Sequence, residues 1–377
     1  MGKTIQLSIL LCFVLLFFQV IPCNGQNRKE FRLHGTIENG YSGEVILYNT
    51  PVNDTCMVDN GCFSFNGNIQ EPGSYCLAYA KKRIFFYMEP GEMELFISSS
   101  LPLGYHLSGS KTNDENEALN KEKLPLREKR KQIYEMMQST TDFNKTKSLD
   151  LSVDSINNAL QLININFIKS HPDSYVSLDE LRCLNMDNIP INTIRNMFEG
   201  LYPNLKNSST GKRVDKEIRL YENTAIGLPA PDFTTIDYNG EEISLSSFRE
   251  KTVILEFWAS WCVPCMKSMP HLKVLYDKYK DKGLRIIGIS CDNNKNNWIN
   301  AIKKYKLESW PQISFINSKS DFASKTISDS DIISLYPTNP IPKVFVIDKQ
   351  GKIINKWVGY SPEQEKEQDE FFESYFK

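Results

Sequence analysis

Two cysteines separated by two residues, Cys262 and Cys265, are the strongest candidates for chemistry in this chain. They lie between an apolar run, Thr252–Trp258, and a segment with helical character. A strand that delivers a Cys-x-x-Cys pair to the start of a helix makes a redox centre, because the helix N-terminus favours the thiolate of the first cysteine. The second cysteine lies one turn later, close enough to close a disulfide. We therefore predict that Cys262 is the exposed nucleophile and that Cys265 is shielded.

The same spacing also fits a purely structural disulfide or one half of a zinc site. A zinc site needs two further ligands at suitable spacing, and the only nearby histidine, His271, has no paired partner. Redox chemistry is therefore the favoured interpretation.

The elements around the cysteines must position them. The order strand, helix, strand predicts an α/β fold in which helices cover a mixed sheet. The helix after the cysteines is interrupted by Pro270 and capped by Gly283. The predicted strands and helices of this part are residues 252–258, 265–282, 284–290, 297–306, 343–347, 352–358 and 362–376.

The run Phe257–Cys265 (Phe-Trp-Ala-Ser-Trp-Cys-Val-Pro-Cys) resembles the thioredoxin superfamily, in particular its TlpA/ResA-like envelope branch with an AhpC/TSA-redoxin-like domain. Gly227–Phe233 resembles the entry segment of that branch, and a hairpin follows around Asn239-Gly240. Ile341–Gly351 resembles its cis-proline strand and turn. The resemblance covers about residues 226–377 and implies a thiol-disulfide oxidoreductase.

The resemblance also implies roles for four further residues. Glu256 occupies the strand position of a buried carboxylate that handles the proton of the resolving cysteine. Pro342 corresponds to the cis-proline that faces the two sulfurs, and Ile341 offers backbone groups to a bound substrate. Trp261 shields the cysteine pair and presents an apolar docking surface. The alternatives are a surface acid at Glu256, a trans proline at Pro342 and a plain core aromatic at Trp261.

The balance of charges and the N-terminal residues restrict the classes of function that this chain can have. Lys and Arg number 44 against 46 Asp and Glu, so there is no charge bias toward nucleic acid. Residues 1–25 combine Lys3, an apolar run and a small-residue site, which predicts a signal peptide and a place in the periplasm or cell envelope. A lipoprotein modified at Cys23 and an uncleaved membrane anchor are the alternatives.

The other cysteines are less informative. Two of the nine cysteines belong to the leader, and the odd number that remains requires at least one free thiol or an intermolecular bond. Cys291 ends a strand and is predicted to be a buried thiol. The pairing of Cys56, Cys62, Cys76, Cys183 and Cys291 stays open. One structural disulfide among Cys56, Cys62 and Cys76 is an alternative that the sequence leaves open.

The rest of the chain divides into two parts. Residues 26–112 alternate in hydrophobicity and carry turn signals such as Asn60-Gly61, which predicts a small β-sandwich-like domain. Met88–Gly91 and His106–Ser110 give it a resemblance to a domain of unknown function that precedes thioredoxin modules in bacterial envelope proteins. Residues 113–225 keep helical spacing and predict a helical connector, with a loop at 206–212.

These features predict an exported thiol-disulfide oxidoreductase that reduces protein disulfides and needs no cofactor. The resemblance implies substrates such as apocytochromes c and a membrane thiol carrier as electron donor. A thiol peroxidase is an alternative, but Ala259 stands where that reaction needs threonine. A binding protein that works through the β domain is the other alternative.

Overall fold

The computed structural model describes residues 29–49, 52–140, 142–314 and 332–377. The predicted signal peptide lies outside the described residues. The chain forms two compact units, one ending at Asp114 and the other beginning at Glu115. The domain boundaries predicted at 112/113 and 225/226 stay predictions.

The first unit is a β-sandwich of two four-stranded sheets, ordered β4-β1-β7-β8 and β3-β2-β5-β6. Apolar side chains alternate with polar ones along the strands, as in β1, so each sheet buries one face. Leu33, Leu77 and Phe86 form part of the shared core. The strands are β1 Glu30–Ile37, β2 Gly43–Asn49, β3 Val52–Val58, β4 Cys62–Asn68, β5 Gly73–Tyr79, β6 Lys82–Met88, β7 Gly91–Ile97 and β8 Tyr105–Ser108.

The turn predicted at Asn60-Gly61 is confirmed. Both residues have positive φ, 56° and 81°, and a Cβ on Gly61 would come within 2.5 Å of the Ile37 carbonyl oxygen. However, β3 and β4 belong to different sheets. The turn therefore carries the chain from one sheet to the other instead of closing a hairpin within one.

Six helices follow the sandwich strands, as the predicted connector requires. The loop expected at 206–212 is wrong, because a new helix starts at Ser209. The Ser208 hydroxyl caps it by accepting a hydrogen bond from the Gly211 amide at 2.9 Å. The helices are α1 Lys111–Gln138, α2 Phe143–Ser170, α3 Tyr175–Cys183, α4 Ile191–Glu199, α5 Pro203–Asn207 and α6 Ser209–Asn223.

The last part contains a small hairpin and a five-stranded mixed sheet ordered β13-β12-β11-β14-β15. Strands β11, β12 and β13 run parallel, while β14 is antiparallel to both of its neighbours. The elements are β9 Thr234–Ile236, β10 Glu242–Ser244, β11 Thr252–Trp258, α7 Val263–Tyr279, β12 Leu284–Ser290, α8 Lys295–Tyr305, β13 Gln312–Ser314, α9 Ile332–Leu335, β14 Lys343–Ile347, β15 Ile353–Val358 and α10 Pro362–Tyr375. Across the described ranges, none of these helices or the earlier ones is long and apolar enough to cross a membrane.

Every residue of β11 is buried, because the sheet is covered on both faces. One face holds Ile254 and Trp258 in a cluster with Cys262 and Cys265. The opposite face holds Leu255 and Phe257 in a second cluster. The α/β class predicted from the sequence is confirmed, and the strand predicted at 252–258 has the predicted bounds.

Candidate active site

Cys262 and Cys265 form a disulfide at the start of α7. Cys262 is the N-cap residue of this helix, and its Sγ accepts a hydrogen bond from the Cys265 amide at 3.2 Å. Pro264 lies in the first turn, where its missing N–H costs nothing. The helix N-terminus therefore points at the first sulfur and stabilises negative charge on it when the bond is reduced.

The predicted exposure of Cys262 is wrong for this oxidised state. Cys262 is 5% exposed and Cys265 is fully buried. The sulfur of Cys262 is turned inward, toward its disulfide partner and the Cys265 amide. The order of exposure remains as predicted, with the first cysteine nearer to solvent.

Trp261 and Val263 precede and follow Cys262 in the chain, and both present exposed apolar surface. Each is 64% exposed, so the core-aromatic alternative for Trp261 is wrong. Two large apolar side chains beside a reactive disulfide are a surface on which an extended protein segment can be buried.

Glu256 is buried in the middle of β11, so the surface alternative is wrong. It shares a face with Ile254 and Trp258, which pack in the cluster of the two cysteines. Neither of its carboxylate oxygens has a hydrogen-bond partner among the described residues. Burial without a partner raises the pKa of Glu256 to about 8, because the charged form is poorly solvated there. Such a carboxyl can exchange a proton near neutral pH.

The Ile341-Pro342 peptide bond is cis, as the resemblance implied. Pro342 lines a small cavity together with Ser268 and Leu272 of α7, which places it beside the helix of the two cysteines. The Pro342 carbonyl accepts a hydrogen bond from the Gly359 amide at 2.8 Å. The Asn339-Pro340 bond is also cis, which nothing in the sequence indicated.

Asp292 is a site residue that the sequence reasoning missed. It is buried just after β12 and accepts hydrogen bonds from the Ser260 amide at 2.9 Å and from the Ser260 and Ser290 hydroxyls at 2.5 and 2.7 Å. These bonds fix the turn between β11 and Cys262. The only sequence signal was an acid two residues after a predicted strand, which is too common to single out.

The remaining described cysteines are unpaired, so the question of a further structural disulfide is answered for this state. Cys291 is half-buried, and burial raises the pKa of its thiol to about 12. A thiol with so high a pKa is a poor nucleophile. The other free cysteines are Cys56, Cys62, Cys76 and Cys183.

Comparison with known proteins finds thiol-disulfide oxidoreductases that are similar to the C-terminal part of this chain, and a domain of unknown function that is similar to its N-terminal part. The AhpC/TSA family model matches residues 226–356, and a model for a domain of unknown function, DUF4369, matches residues 31–116. The thiol-disulfide oxidoreductase ResA of Bacillus cereus is 38% identical over 147 residues, which cover 39% of this chain and 76% of that protein. ResA of Bacillus thuringiensis is 38% identical over 156 residues, covering 41% and 79%.

Among solved structures, a thiol:disulfide interchange protein from Bacteroides sp. is 31% identical. The match covers 40% of this chain and 91% of that one, with a TM-score of 0.33.

Proposed function

The chain belongs to the ResA-like thiol-disulfide oxidoreductases of the thioredoxin superfamily, and we propose that it is an exported reductase of protein disulfides. The observation that carries this proposal is the disulfide of Cys262 and Cys265 at the start of α7, on the same sheet face as the buried carboxyl of Glu256. The exposed side chain of Trp261 beside it supports a protein substrate.

The proposed reaction starts from the reduced dithiol. The Cys262 thiolate attacks one sulfur of a substrate disulfide, which forms a mixed disulfide and releases the other substrate sulfur as a thiolate. Cys265 then gives its proton to the carboxylate of Glu256 and attacks the Cys262 sulfur. The second substrate sulfur leaves as a thiolate, which takes a proton from the solvent, and Glu256 later returns its proton to the solvent. Two electrons have then passed from the dithiol to the substrate. A thiol carrier in the membrane is the proposed donor that reduces the pair again.

The substrate is proposed to dock in extended form along the segment that ends at Pro342. Backbone groups of Ile341 would pair with the substrate chain as a short added strand, and Trp261 would cover its apolar side chains. Disulfide-bonded apocytochromes c are one substrate class of this description. Trapping with Cys265→Ser tests the class, because the mixed disulfide on Cys262 then stays and its partner can be identified.

The direction of electron flow follows from the residues between the cysteines. Val263 and Pro264 carry no charge, whereas a histidine there would stabilise the thiolate and make the disulfide oxidising. We expect a reduction potential closer to the −270 mV of thioredoxin than to the roughly −120 mV of the strong oxidant DsbA. Equilibration of the full mature chain with dithiothreitol measures it, and a value above about −180 mV would contradict a reductase.

Export is proposed from residues 1–25. We expect a mature protein that begins near Gln26, which mass spectrometry of the purified envelope protein detects. A diacylglyceryl group on Cys23 would instead identify a lipoprotein, and an intact Met1 would identify an anchor.

A further inference from the structure

A buried cation, the ammonium group of Lys343, lies at the end of the proposed substrate-docking segment, Ile341-Pro342. Lys343 follows Pro342 directly, begins β14 and has no exposed surface. An ammonium group removed from water must be paired and hydrogen-bonded, or the fold loses stability. The Lys343 Nζ lies 3.0 Å from Oδ2 of Asp187, whose side chain is 4% exposed.

The side chains that contact this cation, Asp187 and Tyr221, come from the helical segment, α1–α6. Asp187 lies in the loop between α3 and α4, and Tyr221 lies on α6. The Tyr221 hydroxyl accepts a hydrogen bond from Lys343 Nζ at 3.3 Å and lies 3.2 Å from Oδ2 of Asp187. The ammonium also sits 4.9 Å from the centre of the Tyr221 ring, within cation–π range.

The buried group formed by Lys343, Asp187 and Tyr221 also contacts Asn339, at the other end of the docking segment. The Asn339 carbonyl accepts a hydrogen bond from Lys343 Nζ at 3.3 Å, and the Tyr221 hydroxyl lies 3.1 Å from it. Residues 339 and 343 flank Ile341 and Pro342, so both ends of this short segment are tied to one buried group. The position of the segment therefore depends on side chains of the helical segment.

We propose that Asp187 and Tyr221 are positioning residues for the Ile341-Pro342 segment, through Lys343. They fix the backbone that receives the substrate chain, and the helical segment is thereby part of the docking apparatus for protein disulfides. This inference rests on the proposed function, because it assumes that Ile341 contacts the substrate.

Two variants of the full mature chain test this inference. Tyr221→Phe removes the hydroxyl and keeps the ring under the cation. The double variant Lys343→Met with Asp187→Leu replaces the ion pair by apolar side chains of similar size, which folded proteins often tolerate. Lys147→Met is the matched control, because Lys147 also joins the helical segment to the thioredoxin-like part, through Glu363 at 2.9 Å, but at an exposed position.

The readouts separate docking from chemistry. We expect both variants to raise the KM for reduction of insulin, by about tenfold in the double variant, since misplacement of a docking group by about 1 Å is costly. The kcat should change less than twofold, as should turnover of 5,5′-dithiobis(2-nitrobenzoate), which has no chain to dock. The dithiothreitol equilibrium of the Cys262–Cys265 pair should match that of the parent protein and of the Lys147→Met control.

The outcomes are distinguishable. If the parent chain reduces neither insulin nor the small disulfide, the proposed function fails. If the parent is active and the folded variants keep its insulin KM, or shift KM, kcat and redox equilibrium together, the positioning role is overturned. Circular dichroism establishes folding first, and Tyr221→Phe alone decides the matter if the double variant does not fold.

Discussion

Glu256 and Lys343 are two fully buried ionisable residues on adjacent strands, and their surroundings differ completely. Phe257 pairs with Lys343 across β11 and β14, so the two charges are one register position apart and belong to opposite faces of the sheet. Glu256 has no hydrogen-bond partner among the described residues, whereas Lys343 has Asp187, Tyr221 and a backbone carbonyl.

The difference indicates two uses of a buried charge. A carboxyl without a hydrogen-bond partner keeps its proton up to a pH of about 8 and can exchange it near neutral pH. For Lys343, burial lowers the pKa, and the charge and hydrogen bond of Asp187 oppose that change. The contacts of its Nζ with Asp187, Tyr221 and the Asn339 carbonyl give this residue a structural use. We infer that one face of the sheet carries out the chemistry and that the other positions the substrate.

The largest effect is expected on the chemical face. Cys262→Ser should abolish disulfide reduction and form no mixed disulfide, because the attacking sulfur is gone. Cys265→Ser should lose turnover but accumulate mixed disulfides on Cys262. Non-reducing gels with a protein substrate measure both, and accumulation in Cys262→Ser instead would reverse the assignment.

The second largest effect is expected for Glu256→Gln. The amide has nearly the same shape but cannot accept the proton of Cys265, so resolution of the mixed disulfide should slow by about 10²–10⁴-fold, as for other general bases. Stopped-flow measurement of the resolution step checks this, with attack by Cys262 as the internal control. An unchanged rate of resolution between pH 6 and 9 would contradict the difference drawn between the two buried residues. Glu256 would then have a purely structural role, as Lys343 has.

The stability of the oxidised protein should also depend on pH through Glu256. Its pKa rises from the ordinary 4.5 to about 8 on folding, so between these values the folded state holds a proton that the unfolded state has lost. The stabilisation of the folded state by this proton is complete below pH 4.5 and is lost as the pH rises toward 8. At about 1.4 kcal/mol per pH unit, the free energy of unfolding falls by about 5 kcal/mol over this range. Urea unfolding from pH 5 to 8 should show a flatter profile in Glu256→Gln, and identical profiles would contradict the buried carboxyl.

The smallest effect is predicted for the other face. Asp187→Ala leaves the Lys343 ammonium buried without its counter-charge and should lower the free energy of unfolding by about 3–5 kcal/mol. The double variant Lys343→Met with Asp187→Leu should recover most of that loss. Urea unfolding at constant pH measures both, and a single variant as stable as the parent would show that the cation is not held by Asp187.

Local patterns in the sequence determined much of this fold and part of its site. The apolar run at 252–258, the Cys-x-x-Cys pair at a helix start and the Asn239-Gly240 hairpin were all predictable, because each depends on neighbouring residues only. Ser208 shows the limit of that reasoning. A polar run that reads as a loop became the start of α6, since one serine side chain caps the helix.

Only the tertiary structure decided the environment of each charge and thiol. The sequence showed that Glu256 and Lys343 lie in strands, but whether a buried charge has a partner depends on residues far along the chain, such as Tyr221, 122 positions before Lys343. The hydrogen bonds of Asp292 with Ser260 are likewise contacts between separate elements. The physical reason is that periodicity is encoded locally, whereas desolvation and ion pairing depend on which distant segments the fold brings together.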